Sequence, residues 1–201
     1  MKIENQMKSK IYGSLIGAVI GDGFGFKTEF MNYEQIITKW GLKGLQAPIG
    51  DPIIVTDDTQ MAIAVSKAVI SSFKNNNINV KDFENSLRSE FITWLNDEQN
   101  NRAPGMTCME SCEFLERGLQ WEDATDKNSK GCGSNMRVSP IGLLKLKNEQ
   151  ITNTQIAKWS QFQAAITHAL KKEDKDLLVA DSFIEEIIST LINNKWIKLS
   201  K

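Results

Sequence analysis

The chain has 201 residues, 41% of them hydrophobic, enough to bury one substantial core and the usual size of a single domain. Its 24 Lys and Arg against 25 Asp and Glu leave a formal charge of -1, so no global field recruits nucleic acid or an anionic membrane, and a charged ligand must be held locally. The three cysteines, Cys108, Cys112 and Cys132, make no disulfide framework and fit a reducing compartment. One domain over residues 1–201, in the cytoplasm, is the expectation.

Lys8 and Lys10 precede an apolar stretch, Ile11 to Ile20, whose length suits the core of a secretory leader. It runs into Gly21 and Asp22 without a small-residue cleavage site, and it is half the roughly 20 residues a membrane span needs. It reads as a buried first helix. Gly13, Gly17 and Gly21 recur every four residues, leaving one helical face open to close approach by another backbone, so this helix is expected to be central. Gly21-Asp22-Gly23-Phe24-Gly25 then reads as a bend after it, followed by Glu29.

Met61, Ala64, Val65, Ala68 and Val69 predict a helix over 60–73, and Val80, Phe83, Leu87, Phe91 and Leu95 predict a second over 80–95. Thr107 with Glu110 reads as a capping box opening a helix with the stripe Cys108, Cys112, Leu115 and Leu119. Periodic stretches over 156–170 and 177–192 complete a helix-dominated pattern, and no segment alternates as a strand does. The expected class is all-α. Residues 195–201, basic and carrying Trp196 and Ile197, read as a tail.

Thr56-Asp57-Asp58-Thr59 opens the helix over 60–73. Adjacent carboxylates flanked by hydroxyls offer hard oxygens to Mg²⁺ or Mn²⁺. Capping of a helix start explains the same residues without an ion. Glu29, four residues beyond the glycine bend, offers a carboxylate as a base or as a group supporting a metal ligand, although a lone Glu is usually solvated. Ser129-Lys130-Gly131-Cys132-Gly133-Ser134 is a small-residue loop whose backbone N–H groups can cradle phosphate oxygens, and Pro104-Gly105 makes another glycine turn before a helix. His168 is the sole histidine; a packed helical histidine is the commoner role, and no zinc spacing joins it to the cysteines.

In order, Gly21-Asp22 to Glu29, Thr56-Asp57-Asp58-Thr59, Gly131-Cys132-Gly133 with Met136-Arg137-Val138-Ser139-Pro140, and Thr167-His168 resemble the ADP-ribosylglycohydrolase family, over roughly residues 10 to 190. The resemblance implies an orthogonal all-α domain with a two-magnesium site. It implies hydrolysis of the bond between the ribose anomeric carbon of ADP-ribose and a modified side chain or small acceptor. Carried over by motif, Thr56, Asp57 and Asp58 are metal ligands and Glu29 is the acidic residue beside the reaction centre. Gly105, Ser129, Lys130, Gly131, Cys132, Gly133, Met136 and His168 fall where the family holds ADP-ribose.

The family also has a second acidic motif, Gly-Asp-x-Asp-Thr, before a C-terminal helix, which this sequence does not reach. Asp174-Lys175-Asp176 follows His168 too closely, lacks the glycine and runs into Leu177. Three readings follow: a glycohydrolase with a reduced metal site, a silent ADP-ribose- or protein-binding module, and one part of an enzyme completed by a second copy or a complementing chain. Paired aspartates also serve phosphoryl chemistry, and the products separate the two reactions: intact ADP-ribose from glycosidic cleavage, phosphate or a mononucleotide from phosphoryl cleavage. No membrane partner is expected, and nucleic acid enters only as a modified substrate.

Overall fold

In a computed structural model of the chain, residues 2–74, 77–129 and 131–168 are described. They lie within the compact unit Met1–Ala169. The expected helix over 177–192, the Asp174-Lys175-Asp176 segment and the tail with Trp196 and Ile197 lie outside the described residues, as does Lys130. No helix of the described residues is long and apolar enough to cross a membrane.

The architecture is all-α. It runs α1 (Lys2–Gly25), α2 (Tyr33–Trp40), α3 (Asp57–Ser72), α4 (Val80–Leu95), α5 (Met106–Glu116), α6 (Trp121–Ala124), a 3-10 turn (Asn135–Arg137), α7 (Ser139–Gly142), α8 (Leu144–Lys147) and α9 (Asn153–Ala165). A two-stranded antiparallel hairpin, β1 (Phe73–Lys74) with β2 (Asn77–Ile78), joins α3 to α4 and pairs Phe73 with Ile78.

The helix α3 is the spine, packing against α4 along its length and touching α1, α7 and the 3-10 turn. Its buried face is the predicted stripe Met61, Ala64, Val65, Ala68 and Val69. Phe83, Leu87, Phe91 and Trp94 of α4, with Cys108, Cys112 and Leu115 of α5, belong to the same core cluster. Each large apolar side chain removed from water contributes about 1.5–3 kcal/mol. Trp94 Nε1–H donates to Gln60 Oε1 at 3.2 Å, tying α4 to the first turn of α3. Arg88 donates to the Leu115 carbonyl at 2.5 Å, where the carbonyls at the end of α5 favour a cation.

Three expectations are corrected. The first helix is neither buried nor central: Tyr12, Ile16 and Ile20 are 63%, 52% and 57% exposed, and Cβ atoms built on Gly13, Gly17 or Gly21 would meet nothing within 4 Å. Leu15, Ala18, Val19, Gly21 and Asp22 line an open cleft, and of these only Leu15 and Asp22 are half-buried. Second, the glycine bend belongs to the last turns of this helix, with Phe26 N–H donating to the Asp22 carbonyl at 2.9 Å. Gly23 is needed there because a Cβ would stand 2.7 Å from Ile53 Cγ2 and 3.4 Å from the Ile54 carbonyl oxygen. Third, Thr107 caps nothing. The helix α5 starts at Met106, two residues before a Thr107 cap would start it, with Gly105 as its N-cap and no side-chain cap bond, and the Thr107 hydroxyl lies 2.9 Å from that of Ser129.

Candidate active site

Asp22, on the last turns of α1, reaches across to the start of α3. Its carboxylate accepts Thr56 N–H at 2.9 Å, the Thr56 hydroxyl at 2.7 Å, Thr59 N–H at 3.2 Å and the Thr59 hydroxyl at 2.5 Å. Thr56 is the N-cap and accepts Asp58 N–H at 3.3 Å. The free N–H groups of a helix start are thus satisfied by a charge from another helix, which also suits the dipole. Charge-assisted bonds are worth more than neutral ones. Asp22→Ala is therefore expected to cost on the order of 3 kcal/mol, read as a lowered urea midpoint; an unchanged midpoint would show the start of α3 to be held otherwise.

Asp57 faces the other way. Its Oδ2 accepts Gly105 N–H at 3.1 Å and its own N–H donates to the Arg102 carbonyl at 3.1 Å, so it joins the starts of α3 and α5. Between these contacts Ala103 is held at a φ of 56°, a left-handed conformation that costs a non-glycine residue about 1–3 kcal/mol. Burial pushes the Asp57 carboxyl up to about 6. The Gly105 bond opposes the shift, and the charges of Asp58 and Glu29 add to it.

Asp58 and Glu29 line a cleft of about 540 Å³ with Thr56, Thr59 and Met136, against an apolar wall that includes Leu15, Val19, Phe26 and Ile63. Both carboxyls titrate above their ordinary range: burial acts first on each, followed for Glu29 by the charges of Asp58 and Asp22 and for Asp58 by that of Asp22. Among the described residues neither side chain has a hydrogen-bond or ion-pair partner.

Carboxylates that raise one another's pKa with no Lys or Arg between them are the donor chemistry of a hard divalent cation. These oxygens fit such an ion in kind. In number they supply part of a shell of about six ligands. Among the described residues no group of three His, Cys, Asp or Glu side chains is arranged to hold a metal.

A second group forms around His168, which is 9% exposed. Gly131 N–H donates to Ser129 Oγ at 3.1 Å, and the backbone passes so close to the imidazole that a Cβ on Gly131 would stand 3.4 Å from Nε2. A Cβ on Gly133 would stand 3.4 Å from Cε1 and 3.7 Å from Cys108 Sγ. Cys132 is exposed on the same loop. Burial and the Arg137 charge push the His168 pKa down to about 4. The expected site residues therefore fall into two groups. Glu29, Thr56, Asp58 and Met136 share the cleft, with Asp57 and Gly105 hydrogen-bonded to each other behind it. Ser129, Gly131, Gly133 and His168 gather under the loop and do not line that cleft.

Arg137, unassigned from the sequence, lies between the groups. It is wholly buried with its guanidinium 4.6 Å from the Phe91 ring, and its charge acts on both Cys108 and Asp57. Asp22 was legible only as part of a glycine bend. The signal that would have found both is a charged residue in an otherwise apolar or glycine-rich stretch.

The ADP-ribosylglycohydrolase profile matches residues 4–186. The chain belongs to the ADP-ribosylglycohydrolase family. Members of this family are glycohydrolase-type enzymes that act on ADP-ribosylated substrates and are generally dependent on divalent metals. An uncharacterized protein of Archaeoglobus fulgidus is 26% identical over 166 residues, which are 81% of this chain and 50% of that protein. The chain thus spans about half the length of the curated relative it matches.

Proposed function

We propose that the chain hydrolyses an ADP-ribosyl glycosidic linkage with Mg²⁺ or Mn²⁺ and releases ADP-ribose. The observation that supports this reading is that Glu29 and Asp58 share one cleft, with Asp57 hydrogen-bonded to Gly105 behind it, and that none of the three carboxylates has a cation beside it among the described residues. Thr56, Asp57 and Asp58 would hold the cation. When bound, it supplies positive charge that orients ribose hydroxyls and a water.

Glu29 is the proton-handling group. Its carboxylate takes the proton of the attacking water as that oxygen bonds to the anomeric carbon and the bond to the acceptor breaks, through a transition state with oxocarbenium character; the acceptor leaves with the bonding pair and takes up that proton from Glu29. Ser129, Lys130, Gly131, Cys132 and Gly133 would hold the pyrophosphate, with Gly131 N–H exchanging Ser129 Oγ for a phosphate oxygen, while Gly105, Met136 and His168 border the ligand. A single domain over residues 1–201 and a cytoplasmic location belong to this reading.

In a second reading, a second copy or a complementing chain supplies further oxygens to the cation, because the carboxylates of the described residues make only part of a shell of about six ligands. Calorimetry of ADP-ribose binding with and without Mg²⁺ tests the first. Binding is expected to need Mg²⁺ and to weaken about 10–100-fold in Asp57→Ala with Asp58→Ala. Absence of binding in either condition would reject autonomous function and leave the completed-site reading.

A further inference from the structure

His168 is the only histidine in the chain, and its ring is held at one nitrogen. The Thr167 hydroxyl lies 2.8 Å from Nδ1, and Arg137 Nη2–H donates to the same hydroxyl at 2.6 Å. A guanidinium has no acceptor lone pair, so the direction of that bond is fixed. The Thr167 proton must then go elsewhere. Two acceptors face it, His168 Nδ1 and the Cys108 sulfur, and a thiol accepts much more weakly than an imidazole nitrogen.

Nδ1 is therefore the bare nitrogen and Nε2 carries the hydrogen. That Nε2 has no partner among the described residues, and it points at the Gly131 and Gly133 backbone, where a Cβ would come within 3.4 Å and 3.5 Å of it. We propose that Arg137 and Thr167 act as positioning residues that lock His168 in its Nε2–H form, presenting one fixed donor beneath the 131–133 loop to a phosphate or hydroxyl oxygen of the ligand. This rests on the reading that the loop holds ADP-ribose.

The rest of the cluster serves the same end. Gln163 Oε1 accepts Arg137 Nε–H at 2.8 Å, the Gln163 carbonyl accepts Nη2–H at 2.9 Å, and Gln163 Nε2 donates to the Ser134 carbonyl at 3.1 Å. The end of α9 thus fixes the guanidinium and the loop together. No carboxylate forms an ion pair with Arg137 among the described residues, Asp57 acting on it only at longer range, and the positive charge beside the ring favours its neutral form. The depressed pKa of His168 agrees.

Having one histidine makes the test direct. In nitrogen-15 spectra of the imidazole at pH 7, the wild-type chain is expected to show Nε2 protonated and Nδ1 bare; a protonated Nδ1 would overturn the proposal, and no variant is needed to see it. Thr167→Val should shift the spectrum toward the mixture of free imidazole and weaken ADP-ribose binding about tenfold, with Thr167→Ser restoring both. A Thr167→Val chain that folds with an unchanged spectrum and affinity would also overturn it. Added ADP-ribose should move the Nε2 resonance; if the tautomer is as stated and the resonance stays still, the ligand reading of the loop fails while the tautomer lock stands.

Discussion

Glu29→Gln is expected to lower kcat about 10²–10⁴-fold while leaving KM within a few-fold, because it removes a proton acceptor and keeps the shape of the side chain. Glu29 stands on the cleft with no hydrogen-bond partner among the described residues, so the substitution orphans no neighbouring group. Its pKa is raised by burial and then by the charges of Asp58 and Asp22. The sign of the pH dependence follows. A general base works when ionised, so wild-type turnover rises with pH through a limb lying above the ordinary carboxylate range, and a bound divalent cation moves that limb down. The Gln variant loses the limb altogether. A wild-type-like kcat in the variant would remove Glu29 from the chemistry, and a loss confined to KM would make it a binding residue.

The long helices were legible because their burial is written in local periodicity. The helix α4 has the predicted bounds, Val80–Leu95, and the buried face of α3 is the predicted stripe. The first helix misled because apolar composition is local and its burial is not: Ile16 and Ile20 have the residue types of a core helix, but both stand more than half exposed. The helix α2 went unforeseen although Asn32 and Gln35 form a capping box. Its stripe, Tyr33, Ile36, Ile37 and Trp40, spans only two turns, and none of these side chains is buried.

The candidate site divides in the same way. Thr56 to Asp58 announce themselves as adjacent carboxylates at a helix start. The groups that organise them do not: Asp22 reaches Thr56 and Thr59 across 34 and 37 positions, and Arg137 reaches Gln163 and Thr167 across 26 and 30. A separation of that size carries no pattern in a single sequence. The capping box expected at Thr107 fails for a related reason, since a partner 22 residues away, Ser129, takes the hydroxyl that local spacing assigns to the helix.

Arg137→Ala is expected to lower stability by about 3–5 kcal/mol, measured as the free energy of urea unfolding. Truncation opens a void beside Phe91, Met61 and Cys108, all fully or almost fully buried. It also leaves the Gln163 side chain, the Gln163 carbonyl and the Thr167 hydroxyl without their donor, at about 1–3 kcal/mol for each group that finds no substitute. Arg137→Met separates the two contributions. Methionine refills most of the volume and removes a charge that sits unpaired in the core, so its cost is expected to fall to about 1–2 kcal/mol. If Met is as costly as Ala, the hydrogen bonds dominate; if Ala costs under about 1 kcal/mol, the guanidinium is not the fastener its contacts imply. A methionine variant that folds well but has lost the fixed His168 tautomer would show why a core keeps so awkward a group: its charge holds the ligand loop and its histidine in order, and the same stability could be had from an apolar side chain.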